Sequence, residues 1–159
     1  MTDHATVTAL LGREPQGDYA VVARDANGRP SVIRNVPFLA NGTPMPTMYW
    51  LVGPRERLLV SRLETAGGVN QAEAEIGLEA IALVHERYAR ERDALIPASH
   101  TGPRPSGGVG GTRVGVKCLH AHYAWFLAGG DDPVGRWVAD HLEPDTGAAE
   151  RPAPERADG

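Results

Sequence analysis

The sequence predicts an α+β fold in which a small N-terminal β-hairpin or sheet packs on three or four helices. Three observations carry that prediction. Two short runs rich in β-branched residues flank a turn near the N-terminus. Apolar residues recur at helical spacing through most of the chain after Pro54. With 19 glycines and 13 prolines among 159 residues, the chain is cut into few regular elements joined by long loops.

The hairpin is read from Tyr19–Arg24 and Pro30–Arg34, with Asp25-Ala-Asn-Gly28 as turn chemistry between them. From Pro37 to Pro54 the chain is proline-rich and extended, and Met48 to Val52 is a candidate third strand. Pro54 suits the first turn of a helix, where its missing N–H costs nothing. Leu59, Leu63 and Ala66 follow at helical spacing, and Gly67-Gly68 supplies the stop. A second helix is predicted from about Gln71 to about Leu95, with Ile81, Val84 and Tyr88 on one stripe, Arg or Glu on most other positions as a solvated face, and Gly77 as a point of division. Pro97 to Gly111 is a loop ending in Ser106-Gly-Gly-Val-Gly-Gly111. A third helix is predicted from Val116 to Gly129-Gly130, and a short fourth opens at Pro133 and runs through Val134, Trp137, Val138 and His141.

Hydrophobic residues are 42% and charged residues 23% of the chain, a globular balance that predicts one domain over 1–143 and a disordered Pro/Ala/acidic tail over 144–159. A formal net charge of −4 provides no general attraction for nucleic acid or an anionic membrane. There is no run of 18 apolar residues, and Met1 to Leu11 carries Asp3 and His4, so neither a membrane span nor a signal peptide is expected. Cys118 is the sole cysteine, which forbids an intrachain disulfide and fits a cytoplasmic location.

Chemistry concentrates in Val116-Lys-Cys-Leu-His-Ala-His-Tyr-Ala-Trp-Phe-Leu127. Within a helix, Cys118 and His122 at i,i+4 would share a face, and thiolate with imidazole suits zinc or another transition metal. His122 also lies on the apolar stripe of Leu119, Tyr123 and Phe126, so a buried histidine with a hydrogen-bonded ring fits equally well. In a first helical turn beside Lys117, Cys118 would be favoured as thiolate, with His120 or His122 as its base; a small buried hydrophobe is the competing reading. The glycine-rich segment matches neither phosphate-loop motif, because Val116 stands where a lysine should follow Gly115. Its N–H groups, with Arg113 and Lys117, could still hold a phosphate or carboxylate at Gly108, Gly110 and Gly111, unless the glycines serve only close turns.

The stretches Gly42-Thr-Pro-Met-Pro-Thr-Met-Tyr-Trp-Leu51, Ser61-Arg-Leu-Glu64 and Gly108-Val-Gly-Gly-Thr-Arg-Val-Gly-Val-Lys-Cys-Leu-His-Ala-His122, with the Asp132-Pro-Val-Gly135 turn, resemble domain-of-unknown-function family 501 over roughly Leu10 to Leu142. The family is mainly bacterial. Its members are often encoded near a septum-formation initiator and an exopolyphosphatase-like protein, and the resemblance thereby implies a link to division or phosphate metabolism. Many members carry a cysteine at the position of Asp25 and a cysteine or histidine at that of Gly53. With Cys118 and one histidine of its helix, these imply a closed four-ligand metal site. In this chain Asp25 could offer an oxygen, while Gly53 offers no side chain.

Three functions follow as expectations. The first is a small-ligand, anion or metal binding module centred on the glycine-rich loop and on Cys118, His120 and His122, with Asp25 as a further ligand. The second is an enzyme using Cys118, His120 or His122 on a phosphorylated or carboxylated small molecule. The third is a protein-interaction scaffold linked to cell division, presenting Trp50, Trp125 and Trp137.

Overall fold

The computed structural model describes residues 2–143, so the tail predicted to be disordered lies outside the described residues. In chain order the elements are α1 (Asp3–Leu11), β1 (Tyr19–Arg24), β2 (Pro30–Asn35), β3 (Tyr49–Leu51), α2 (Pro54–Thr65), α3 (Gly68–Ile76), α4 (Leu78–Asp93), a 3-10 turn at Val109–Gly111, α5 (Leu119–Leu127) and α6 (Pro133–His141). The fold is α+β: a three-stranded antiparallel sheet in the order β1-β2-β3 and, among the described residues, six α-helices where three or four were predicted. None of these helices is long and apolar enough to cross a membrane.

The hairpin forms as its turn chemistry requires. Asp25 Oδ1 accepts from the N–H groups of Asn27 at 2.8 Å and Arg29 at 2.9 Å, and Gly28 takes the left-handed φ of 80° that a side chain disfavours. Helix α1 was not foreseen, because Ala5, Val7, Ala9, Leu10 and Leu11 form no single apolar stripe. It is held instead by its ends and one anchor. Thr2 caps the N-terminus through a bond from Ala5 N–H, Gly12 closes the C-terminus, and Val7 is buried against Ile33 and Val52. The predicted division at Gly77 occurs: its φ of 92° and ψ of 143° end α3 and release α4 in a new direction.

Helix α4 carries the main departure from the predicted pattern. Its buried face is Ile81, Val84, His85, Tyr88 and Arg92, so Arg92, one of the charges assigned to the solvated face, lies in the interior, and His85, which the stripe did not include, lies there with it. Each serves backbone that would otherwise be unpaired. Tyr88 Oη accepts from the N–H groups of Met48 at 2.5 Å and Tyr49 at 3.1 Å. Arg92, 1% exposed, donates to the carbonyls of Pro46 at 3.1 Å and Gly107 at 2.9 Å, and its Nε lies 3.1 Å from Asp93. His85 donates from Nε2 to the Gly115 carbonyl at 2.7 Å and accepts the Val109 N–H on Nδ1 at 3.0 Å. Gly108 runs so close beneath that imidazole that an added Cβ would stand 2.4 Å from His85 Cβ. Helix α5 packs on β3, α2 and α6, and buries Leu119, Ala124 and Trp125 in the larger core with Val60, Ile81, Val134 and Val138.

Burial holds His85 below the ordinary histidine range of 6.5, outweighing the Gly115 carbonyl that favours the charged ring. The unfolded chain therefore takes up a proton before the folded one does as pH falls through 6.5, and stability present above that pH is lost below it. Chemical unfolding from about pH 7 to about pH 5 should show a falling free energy, and the fall should shrink in His85→Gln, which keeps a donor and an acceptor but cannot titrate. An equal fall in that variant would assign the acid sensitivity elsewhere.

Candidate functional site

The site begins with a helix end. Helix α5 starts at Leu119 rather than Val116, and Cys118 is its extended N-cap, with φ −153° and ψ 153°. The first helical N–H, that of Leu119, is taken by Glu64 Oε2 at 2.7 Å, from the last turn of α2. The same oxygen stands 3.1 Å from His120 Nδ1. On the far side of the imidazole, Nε2 lies 3.1 Å from Ser61 Oγ and 3.3 Å from the Arg57 carbonyl oxygen. One face of α2 thus grips the ring. By its partners, the imidazole donates Nδ1–H to Glu64, while Nε2 faces the Ser61 hydroxyl, which can donate or accept, and the Arg57 carbonyl, which can only accept. Ligating atoms of Glu64, Cys118 and His120 all lie within 4.8 Å of one another. The trio is half-buried, with the side chains of His120 and Glu64 28% and 26% exposed.

The thiol is not activated in the way the sequence suggested. Burial pushes Cys118 above its ordinary value, the Glu64 carboxylate adds to the shift, and the N–H groups of Ala121 and His120 with the Lys117 charge fail to reverse it. The dipole and Lys117 argument pointed in the right direction for those two causes and left out the desolvation and the anion that outweigh them.

The other predicted ligands go elsewhere. Because Cys118 precedes the helix, the i,i+4 geometry with His122 does not arise. His122 is fully buried, donates Nδ1–H to Asp132 at 2.7 Å, and has no partner for Nε2 among the described residues. Asp132 also caps α6 through Val134 N–H at 2.9 Å, so the pair ties two helices together. Asp25 is engaged in its turn and shares a cleft with Pro54, Arg55 and Glu56, and Gly53 is the N-cap of α2. Neither contributes an atom to the trio.

The proposed anion residues are divided by the fold. Gly108 donates its N–H to Thr112 at 2.7 Å, Gly111 to Gly108 at 2.9 Å, and Val109 to His85, so three loop donors are used internally. Gly108 and Arg113 line a cleft of about 420 Å³ together with Arg92, where Glu86 and Asp93 oppose the cations. Lys117 does not line that cleft; its stem lies against Gly110, where an added Cβ would sit 3.4 Å from it. Gly111 faces Pro46. Trp125 and Trp137 are core residues whose indole N–H groups bond Glu91 and Glu75, which leaves Trp50 as the partly exposed member of the three.

Trp50 belongs to a second cleft, of about 340 Å³, lined also by Arg13, Thr47, Arg57, Cys118 and His120. The Arg13 guanidinium sits 5.7 Å over the Trp50 ring, and Arg57 reaches the Leu10 carbonyl at 3.4 Å. Ser61, Glu64, Arg13 and Arg57 were not singled out from the sequence. The available signal was Ser61-Arg-Leu-Glu64, whose i,i+3 spacing sets two polar groups on one helix face beside the apolar stripe.

Residues 21–140 match the model of a family described as a protein of unknown function (DUF501). No curated protein and no solved structure matches the chain.

The raised thiol can be measured directly, since Cys118 is the sole cysteine. Iodoacetamide rates taken from about pH 7 to about pH 10 should rise to a midpoint above that of the urea-unfolded chain. A midpoint at or below the unfolded one would mean that helix-end stabilisation prevails over burial.

Proposed function

We propose that this chain, which belongs to the DUF501 family of unknown function, is a metal-binding module for a small ligand, with Glu64, Cys118 and His120 holding a transition metal at the rim of the cleft that contains Trp50. The observation that carries this is the convergence of carboxylate, thiol and imidazole within 4.8 Å of one another. Such a donor set suits zinc, a borderline metal that takes oxygen, nitrogen and sulfur ligands. Two ligands about 2.0 Å from a tetrahedral zinc stand about 3.3 Å apart. The 3.1 Å between Glu64 Oε2 and His120 Nδ1 is close to that spacing. Three protein ligands leave one coordination position, the arrangement of open rather than closed zinc sites. Cys118 and His120 both line the cleft, so a bound molecule would reach that position from there. Metal ligation replaces the thiol proton, which overcomes the burial that holds Cys118 protonated.

A second reading has its own support. Ser61 Oγ, His120 and Glu64 form a hydrogen-bonded chain at 3.1 Å and 3.1 Å, the order in which a hydroxyl nucleophile is polarised by an imidazole braced by a carboxylate. Both readings use His120 and Glu64, so metal content discriminates between them.

Protein purified without a metal-affinity step and dialysed against chelator-treated buffer should take up about one zinc per chain. Uptake should collapse in Cys118→Ala and His120→Ala, weaken in Glu64→Gln, and persist in Asp25→Asn. Cobalt(II) should give thiolate-to-metal charge transfer that Cys118→Ala abolishes. Failure of zinc, cobalt, nickel and iron(II) alike to bind the folded wild type would remove the metal reading and leave the Ser61 chain.

A further inference from the structure

We infer that the cleft beside Cys118 and His120 takes a small oxyanion, a phosphate monoester or a carboxylate, held by the guanidinium groups of Arg13 and Arg57. This deepens the proposed function and rests on it for the role of Cys118 and His120 as the working end of the same cleft. The first ground is charge. The chain is acidic overall at −4, yet this cleft carries two guanidiniums and an imidazole, and among the described residues no Asp or Glu lines it, Glu64 standing behind His120. The glycine-loop cleft, where the sequence placed the anion, sets Glu86 and Asp93 against its two arginines.

The second ground is the state of the two cations. Neither Arg13 nor Arg57 has an ion pair with a carboxylate among the described residues. Arg13 has the Trp50 ring at 5.7 Å, and Arg57 a single long bond to a carbonyl at 3.4 Å. The aromatic face orients a guanidinium without neutralising it, and its planar fork remains available for bidentate contact with a carboxylate or phosphate. The third ground is size and lining. About 340 Å³ is at the small end of ligand sites, and Leu11, Leu51 and Ala121 provide an apolar wall for the body of the molecule. Zinc on Glu64, Cys118 and His120 would cancel the charges of the carboxylate and thiolate and turn its open coordination position toward the same space.

The test is calorimetric titration of the full chain, metal-free and zinc-loaded, with phenyl phosphate and with benzoate. One or both should bind the wild type, and the stronger of the two identifies the anion. Arg13→Ala and Arg57→Ala should each weaken binding by about tenfold or more, while Arg113→Ala in the other cleft should leave it unchanged. Both arginines are exposed, so these variants should unfold at the wild-type midpoint. A loss confined to Arg113→Ala would move the anion to the glycine loop and overturn the inference, as would the absence of binding by either probe in both forms. Binding that survives in Cys118→Ala with its Arg13 and Arg57 dependence supports the oxyanion site even where the metal reading has failed. Zinc uptake without anion binding overturns the oxyanion site alone.

Discussion

A chain with this much glycine and proline must satisfy backbone groups that no helix or strand pairs, and one face of α4 meets that demand. Tyr88 receives two N–H groups from the start of β3, Arg92 donates to carbonyls in the proline-rich segment and the glycine loop, and His85 holds the loop at two points. Residues 81, 84, 85, 88 and 92 share this face because they repeat at helical spacing. The buried guanidinium is tolerable because carbonyl oxygens and Asp93 surround it. Glycine at 108 is required by that arrangement because the imidazole leaves no room for a Cβ.

The candidate site depends on this frame through α5. Loop 107–115 delivers the chain to Cys118, and Glu64 then completes both a helix end and a cluster with a single carboxylate oxygen. An acid at a helix N-terminus is a stabilising contact in its own right. Here it also places an oxygen within ligating distance of a thiol and an imidazole, so an ordinary capping device fixes the geometry of the chemistry-bearing groups. His122, two residues on, does the opposite work: with Asp132 it anchors α5 to α6 from inside the core.

Local signals made much of this legible. The hairpin, β3, the helix starting at Pro54, the break at Gly77 and the start of α6 at Pro133 all rest on residues close in sequence, and each forms where the sequence placed it. Helix α1 was hidden because caps and one buried valine hold it, without amphipathic periodicity. The interior placement of His85 and Arg92 was hidden because the backbone atoms they serve lie 15 to 46 residues away and carry no side-chain signature. The same holds for the site. Cys118 and His120 were visible as residue types, whereas Ser61 and Glu64 meet His120 across 59 and 56 positions, a pairing that helix packing alone creates. The division of the glycine-loop residues was equally invisible, since spacing cannot say which N–H groups a turn will use on itself.

The clasp formed by Tyr88, His85 and Arg92 has a consequence for how the molecule opens. Met48, Tyr49, Pro46, Gly107, Val109 and Gly115 are spread over some seventy residues, but the backbone of each is held by a side chain on the same two turns of α4. Unwinding those turns releases all of them together. The amides of Met48, Tyr49 and Val109, at the sheet edge and in the glycine loop, thereby depend on one helix for their protection from exchange. Segments that look like independent surface loops would then breathe in concert.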